Sequence, residues 1–147
     1  MVVPHQARGA RMARHRLANE LAGTIRPGLL ADVVAVLAEL VGNSVRHAEP
    51  LPGAVIRVAW RHRSESGTDV VQVRVTDSGG GDRPRMRETG PEALDGRGLH
   101  IVAALATNWG VDRDGLGQSV WAELRAPAGE PAGTDAVGAG TSLLSVS

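Results

Sequence analysis

The chain has 147 residues, the size of a single domain able to bury roughly 70% of its unfolded surface. Sixteen basic and sixteen acidic residues cancel and the aromatics are three Trp alone, so neither a charge footprint nor a stacking platform for nucleic acid is present. Cys and Lys are absent, which excludes disulfides, thiolate metal sites, a P-loop lysine and a protein-kinase-fold lysine, and suits a reducing cytoplasm.

No apolar run is expected to reach the ~18 residues of a membrane span, and the N-terminus lacks a signal peptide's apolar core. Met1 to Pro4 reads as the end of a strand. From about His5 to Ala22, Ala10, Ala13, Leu17 and Leu21 share one helical face. Arg8, Arg11, Arg14 and Arg16 lie mostly off it, as a solvated face or a dimer or partner surface. Thr24 to Gly28 breaks the pattern at Pro27.

A central helix is expected from about Leu29 to Ala48, its apolar stripe made by Leu30, Val33, Val34, Leu37, Val41, Val45 and Ala48. Glu39, Asn43 and His47 follow one another at four-residue intervals, so on a helix they form a second, polar stripe. Pro50, Pro52 and Gly53 end the helix.

Ala54 to Trp60 reads as a strand, with Ala54, Ile56, Val58 and Trp60 on one face and Arg57 and Arg61 on the other. His62 to Thr68 reads as a hairpin loop. Asp69 to Asp77 is the clearest strand: Val71, Val73, Val75 and Asp77 share a face, with Gln72, Arg74 and Thr76 opposite. One buried and one wet side predict an α/β two-layer sandwich with helices on one face of a mixed, mainly antiparallel sheet. The alternation places the Asp77 carboxylate on the core side, where it needs a partner.

Ser78 to Gly81 loosens the chain, and Asp82 to Asp95, with Arg83, Arg85 and Arg87, reads as a long loop of the kind that carries function. Gly96-Arg97-Gly98-Leu99 opens an apolar helix with Asp95 as N-cap and Leu99, Val102, Ala103 and Ala106 on its buried face. Asn108 to Val111 starts a further strand. Gly115 to Gly117 turns it, and Gln118 to Arg125 returns with Val120, Ala122 and Leu124 inward. The domain is expected over 1–126, with an Ala/Gly/Pro/Ser-rich, disordered tail over 127–147.

Three pieces need a common explanation: E-x-x-x-N-x-x-x-H on a helix, D-x-G-x-G after a strand, and G-x-G opening a helix. Glycines allow backbone N–H groups close to a ligand, and a helix N-terminus favours an anion. Each piece alone is weak; their conjunction, in this order on these elements, is specific. It resembles the GHKL, or Bergerat-fold, ATP-binding domain of DNA gyrase, histidine kinases and MutL, over roughly residues 5 to 126. Within that family it is most similar to the stand-alone actinobacterial anti-sigma-factor serine/threonine kinase-like ATP-binding proteins. Their E-L-V-x-N-x-x-x-H-A, G-R-G-L and V-W-A-x-L strings recur at Glu39–Ala48, Gly96–Leu99 and Val120–Leu124.

The resemblance implies ATP and Mg²⁺ as cofactors, and roles for particular residues. Asn43 would bind Mg²⁺, which needs few protein ligands when it bridges nucleotide phosphates. Asp77 would accept a hydrogen bond from the adenine amino group, and Gly79 and Gly81 would let base and sugar lie against backbone. The loop Asp82 to Asp95, including Arg85, would be the ATP lid, with Gly96, Arg97, Gly98 and Leu99 closing on the phosphates. Glu39 would be the general base of phosphoryl transfer to a Ser or Thr hydroxyl. Gln118 and Ser119 stand where the family usually carries a Thr near the nucleotide, and His47 fits the pattern in a structural role. The implied partners are a small antagonist protein and a sigma factor, with a homodimer possible, no nucleic acid and no membrane. The alternatives are a non-catalytic ATP-gated binding module and a detached histidine-kinase catalytic domain.

Overall fold

The alternating pattern of β3 (Thr68–Asp77) sets the architecture, because it gives one strand a dry face and a wet one. In the computed structural model, which describes residues 1–80, 99–115 and 117–128, the other elements are β1 (Val2–Pro4), α1 (Ala7–Leu21), α2 (Pro27–His47), β2 (Val55–Glu65), α3 (His100–Leu105), β4 (Asn108–Asp114) and β5 (Gly117–Pro127). The described strands form one sheet in the order β1-β2-β3-β5-β4. Every strand pairing described in it is antiparallel, in line with the mainly antiparallel sheet expected. The helices cover one face, giving the expected α/β two-layer sandwich. Its core joins Ile56, Val58, Val71, Val73, Val75, Ala122 and Leu124 of the sheet to Ala13, Leu17, Val33, Val36, Leu37 and Val41 of the helices.

α2 starts two residues earlier than its periodicity suggests, with Pro27 in its first turn, where a missing N–H costs nothing and the fixed φ is helical. Its buried side is also rotated. Leu29, Val36 and Leu40 are buried with Val33, Leu37 and Val41, whereas Leu30, Val34 and Val45 are only partly covered. A helix lying between α1, α3 and the sheet buries more than one stripe, so spacing alone misplaces the centre. Contrary to expectation, α2 is by length and composition apolar enough to cross a membrane. The burial of these side chains against α1 and the sheet is that of a core helix.

Gly9 fixes how α1 leaves β1. A Cβ there would sit 2.1 Å from the Pro4 carbonyl oxygen, so only glycine permits the close approach. The face expected from Ala10, Ala13, Leu17 and Leu21 is buried at Gly9, Ala13, Leu17 and Leu21.

Two boundaries move. β2 runs to Glu65 rather than Trp60, because the polar stretch expected as a loop pairs with β3 down to Glu65↔Thr68. The turn is only Ser66-Gly67, both at positive φ (50° and 80°), as a tight hairpin of right-handed strands requires. Buried Asp69 is satisfied there by His62 Nε2 at 2.8 Å and Ser64 Oγ at 3.3 Å. Ala54 precedes the strand at φ 61° instead of joining its inward face. At the C-terminal side, Pro127 pairs with Thr68 and Ala128 N–H donates to Gly67 O at 2.8 Å. The folded unit therefore reaches past residue 126, and the expected tail from 129 to 147 lies outside the described residues. α3 starts at His100 after Leu99. Ala103, expected inward, is exposed, and the expected Asp95 cap lies outside the described residues.

Candidate functional site

The inward end of β3 meets the C-terminal half of α2, and four polar side chains are buried at this junction. Asn43, Ser44, Asp77 and Gln118 are all 5% exposed or less. With Leu40, Ala48, Val75 and Val120 they line one recess of about 10 Å³. That is room for about one water, so the recess seats a ligand's polar group rather than a whole ligand.

Ser44 Oγ donates to Asp77 Oδ2 at 2.6 Å and the Gly79 N–H donates to Asp77 Oδ1 at 2.7 Å. These two donors compensate the burial of a carboxylate and hold it in one rotamer. The Gly79 N–H reaches Asp77 because Gly79 adopts φ 83°, open to glycine without strain. Behind Asp77, a Cβ at Gly117 would lie 2.4 Å from the Asp77 carbonyl oxygen, so β5 can approach β3 closely only with glycine there. Past α2, Glu49 and the Ser78–Gly79 segment exchange backbone hydrogen bonds of 2.9 and 3.0 Å, fixing the helix end against the strand end.

Two acceptors in this corner lack a hydrogen-bond partner among the described residues: Asn43 Oδ1 and Gln118 Oε1. A buried amide oxygen without a donor is costly. It is the hard oxygen that a small divalent cation takes as ligand, so Asn43 fits the cation expected at this position. Gln118 stands directly opposite Asp77 in the β3–β5 register, where its amide faces the same recess.

Glu39 lies one turn before Asn43 on α2, its side chain 26% exposed and 3.5 Å from Arg46 Nη2. Gly42 leaves room for that arginine: a Cβ there would be 2.9 Å from Arg46 Nη1. His47, a further turn on, is exposed.

The fold thus brings Glu39, Asn43, Asp77 and Gly79 to one corner. Leu99 packs into the core with Val102 and is not in the recess wall. Gly81, Arg85, Gly96, Arg97 and Gly98, with the whole expected lid, lie outside the described residues. Sequence reasoning missed Ser44, Gly117, Gly42 and Arg46. Ser44 had one available signal, since it follows Asn43 on the side of the helix that an inward-facing Asp77 must meet.

The model of the histidine kinase-like ATPase domain matches residues 3–124. The chain belongs to this family. No curated protein matches it. Domains of this family bind ATP, and the recess with its buried Asp77 and Asn43 is the candidate place for it. In an ATPase domain of this type, a fixed carboxylate with lone pairs facing a water-sized recess can accept a donor from a base. The unpaired Asn43 oxygen, on the neighbouring helix, can hold the cation that accompanies phosphates.

Proposed function

We propose that this ATPase domain is a cytoplasmic, magnesium-dependent serine/threonine protein kinase of the anti-sigma-factor class. Its substrate would be a small antagonist protein, and a sigma factor its second partner. The observation that carries the reading is the convergence of an immobilised acceptor, Asp77, with an unpaired buried acceptor, Asn43 Oδ1, one helical turn from a partly exposed carboxylate, Glu39.

Bound Mg-ATP supplies the phosphoryl group and the cation that neutralises its charge. The chain's own residues supply position. Asp77 accepts the adenine amino hydrogen, and Gly79, with no side chain, lets the base lie against the backbone. Asn43 gives the cation an amide oxygen. Glu39 takes the proton from the attacking Ser or Thr hydroxyl, a role worth about 10²–10⁴-fold in rate.

The Arg46 ion pair at Glu39 favours a second reading, an ATP-gated binding module without chemistry, since it engages the carboxylate otherwise free to act as base. Transfer of labelled phosphate from ATP to a co-encoded antagonist protein separates the two. The kinase reading expects acid-stable phosphoserine or phosphothreonine, lost in Glu39→Ala while ATP still binds. Wild-type transfer by Glu39→Ala removes Glu39 as base, and an acid-labile product points to a histidine acceptor.

A further inference from the structure

Glu39 and Arg46 stand two turns apart on α2, on nearly the same side of the helix. Helical side chains lean towards the N-terminus, so Arg46 reaches back over the intervening turn. Its Nη2 lies 3.5 Å from Glu39 Oε2, an ion pair too long for a hydrogen bond. The turn it crosses holds Gly42. The three nearest atoms that a Cβ on Gly42 would meet are Nη1, Cζ and Nη2 of Arg46, at 2.9, 3.7 and 3.7 Å. No backbone outside the helix comes closer, and glycine inside a helix is unfavourable against alanine. The missing methyl makes room for the arginine. Arg46 is 55% exposed against 26% for Glu39, so the guanidinium is the more accessible member of the pair.

We infer that Arg46 is a latch on Glu39, drawn off by a carboxylate that the protein substrate carries beside its acceptor hydroxyl. This rests on the kinase reading above, in which Glu39 is the base. A base beside a bound nucleotide can activate water as well as a hydroxyl. While Arg46 lies on Glu39 the carboxylate is engaged, and ATP is spared from hydrolysis. An incoming acid exchanges one carboxylate for another at the guanidinium. A half-exposed pair without a hydrogen bond is worth little, so the exchange has a low cost. Glu39 then takes the proton of the neighbouring hydroxyl. The hydroxyl oxygen forms its bond to the γ-phosphorus as the bond from that phosphorus to the ADP oxygen breaks. The spacing follows from the pair itself. Its two groups are 3.5 Å apart and successive Cα atoms lie about 3.8 Å apart. The acid and the hydroxyl therefore belong within about two residues of each other. Charge selects the substrate, and the same charge releases the base.

The antagonist protein of the transfer assay above supplies the test, once its phosphorylated Ser or Thr is mapped and the acids beside it are changed to amides. Calorimetry in the presence of ADP, where no phosphate moves, reads binding alone. Arg46→Gln and the acid-to-amide change should each weaken binding about two- to fivefold, the scale of one exposed ion pair. Together they should cost no more than either alone, because they remove the same contact. Hydrolysis of ATP without the antagonist reads the latch. Arg46→Gln should raise it about two- to fivefold. So should Gly42→Ala, whose new methyl displaces the guanidinium. The urea midpoint of Gly42→Ala should not fall, because alanine favours the helix; this separates an opened latch from a loosened fold. Glu39→Gln should abolish the gain in both backgrounds. An antagonist with no acid beside its acceptor overturns the proposal. So do additive binding losses, or hydrolysis indifferent to Arg46→Gln. Where those results accompany a phosphotransfer that still needs Glu39, the kinase reading stands and the latch alone falls. Hydrolysis and transfer indifferent to Glu39→Gln remove the base, and the latch with it.

Discussion

Ser44 Oγ, on the second helix, donates a 2.6 Å hydrogen bond to Asp77 Oδ2, at the end of the third strand. This bond joins two segments far apart in sequence and fixes the orientation of the only carboxylate in the recess wall among the described residues. Ser44→Ala leaves that carboxylate oxygen buried with one donor fewer. A loss of about 1–3 kcal/mol is expected, read as a lower urea midpoint at unchanged slope. ATP affinity should fall with it, because the carboxylate is freed to rotate. Unchanged stability would mean that water replaces the hydroxyl and that the bond is not structural.

Asn43 should behave in the opposite way. Its amide oxygen has no hydrogen-bond partner among the described residues, so Asn43→Ala should change ligand-free stability little. The magnesium-dependent part of nucleotide binding should disappear. With nucleotide at a hundredfold excess over its dissociation constant, wild-type protein gains about 2.7 kcal/mol. In Asn43→Ala the gain should be the same with and without magnesium. A magnesium effect of wild-type size in that variant would remove Asn43 as the cation ligand.

Gln118 lies opposite Asp77 in the register and its Oε1 is buried without a partner among the described residues. The adenine amino group has two hydrogens where guanine has a carbonyl oxygen, and an amide oxygen beside a carboxylate can accept both. Gln118→Ala is expected to weaken ATP by about tenfold, the worth of one neutral hydrogen bond, and to narrow the preference for ATP over GTP. Calorimetric titration of both nucleotides checks this. Equal losses for ATP and GTP would assign Gln118 to packing instead.

Glu20 ties the first helix to the sheet through the Trp60 indole N–H at 2.9 Å and Arg16 Nε at 2.9 Å. The indole, then the arginine, hold its carboxyl below the ordinary carboxylate value. A lowered native pKa favours folding fully above the unfolded-state value, and that contribution fades as pH falls through the lowered native one. Trp60→Phe removes the larger cause. NMR titration should find Glu20 closer to the unfolded value, with stability less sensitive to pH in the acid range. A Glu20 titration identical to wild type would show that Arg16 alone sets it.

Much of the site was legible because its logic is local. A period of two fixes which side of a strand each residue occupies, so Asp77 had to follow Val71, Val73 and Val75 inward. A period of 3.6 sets Glu39 and Asn43 on one side of a helix. Gly79, just past the strand end, needed only the chain's own sterics. The extent of β2 was not legible, because His62 and Ser64 look like loop residues until Asp69 is known to lie beside them.

The sequence by itself determined the elements, the buried faces of the strands and the family, since these follow from periodicity and residue type within a few turns of chain. Only the tertiary structure decided which partners those faces meet. It rotated the buried side of the second helix towards Leu29, Val36 and Leu40. It gave Asp77 its serine. Each of these depends on contacts between residues distant in the chain, and no local spacing encodes them.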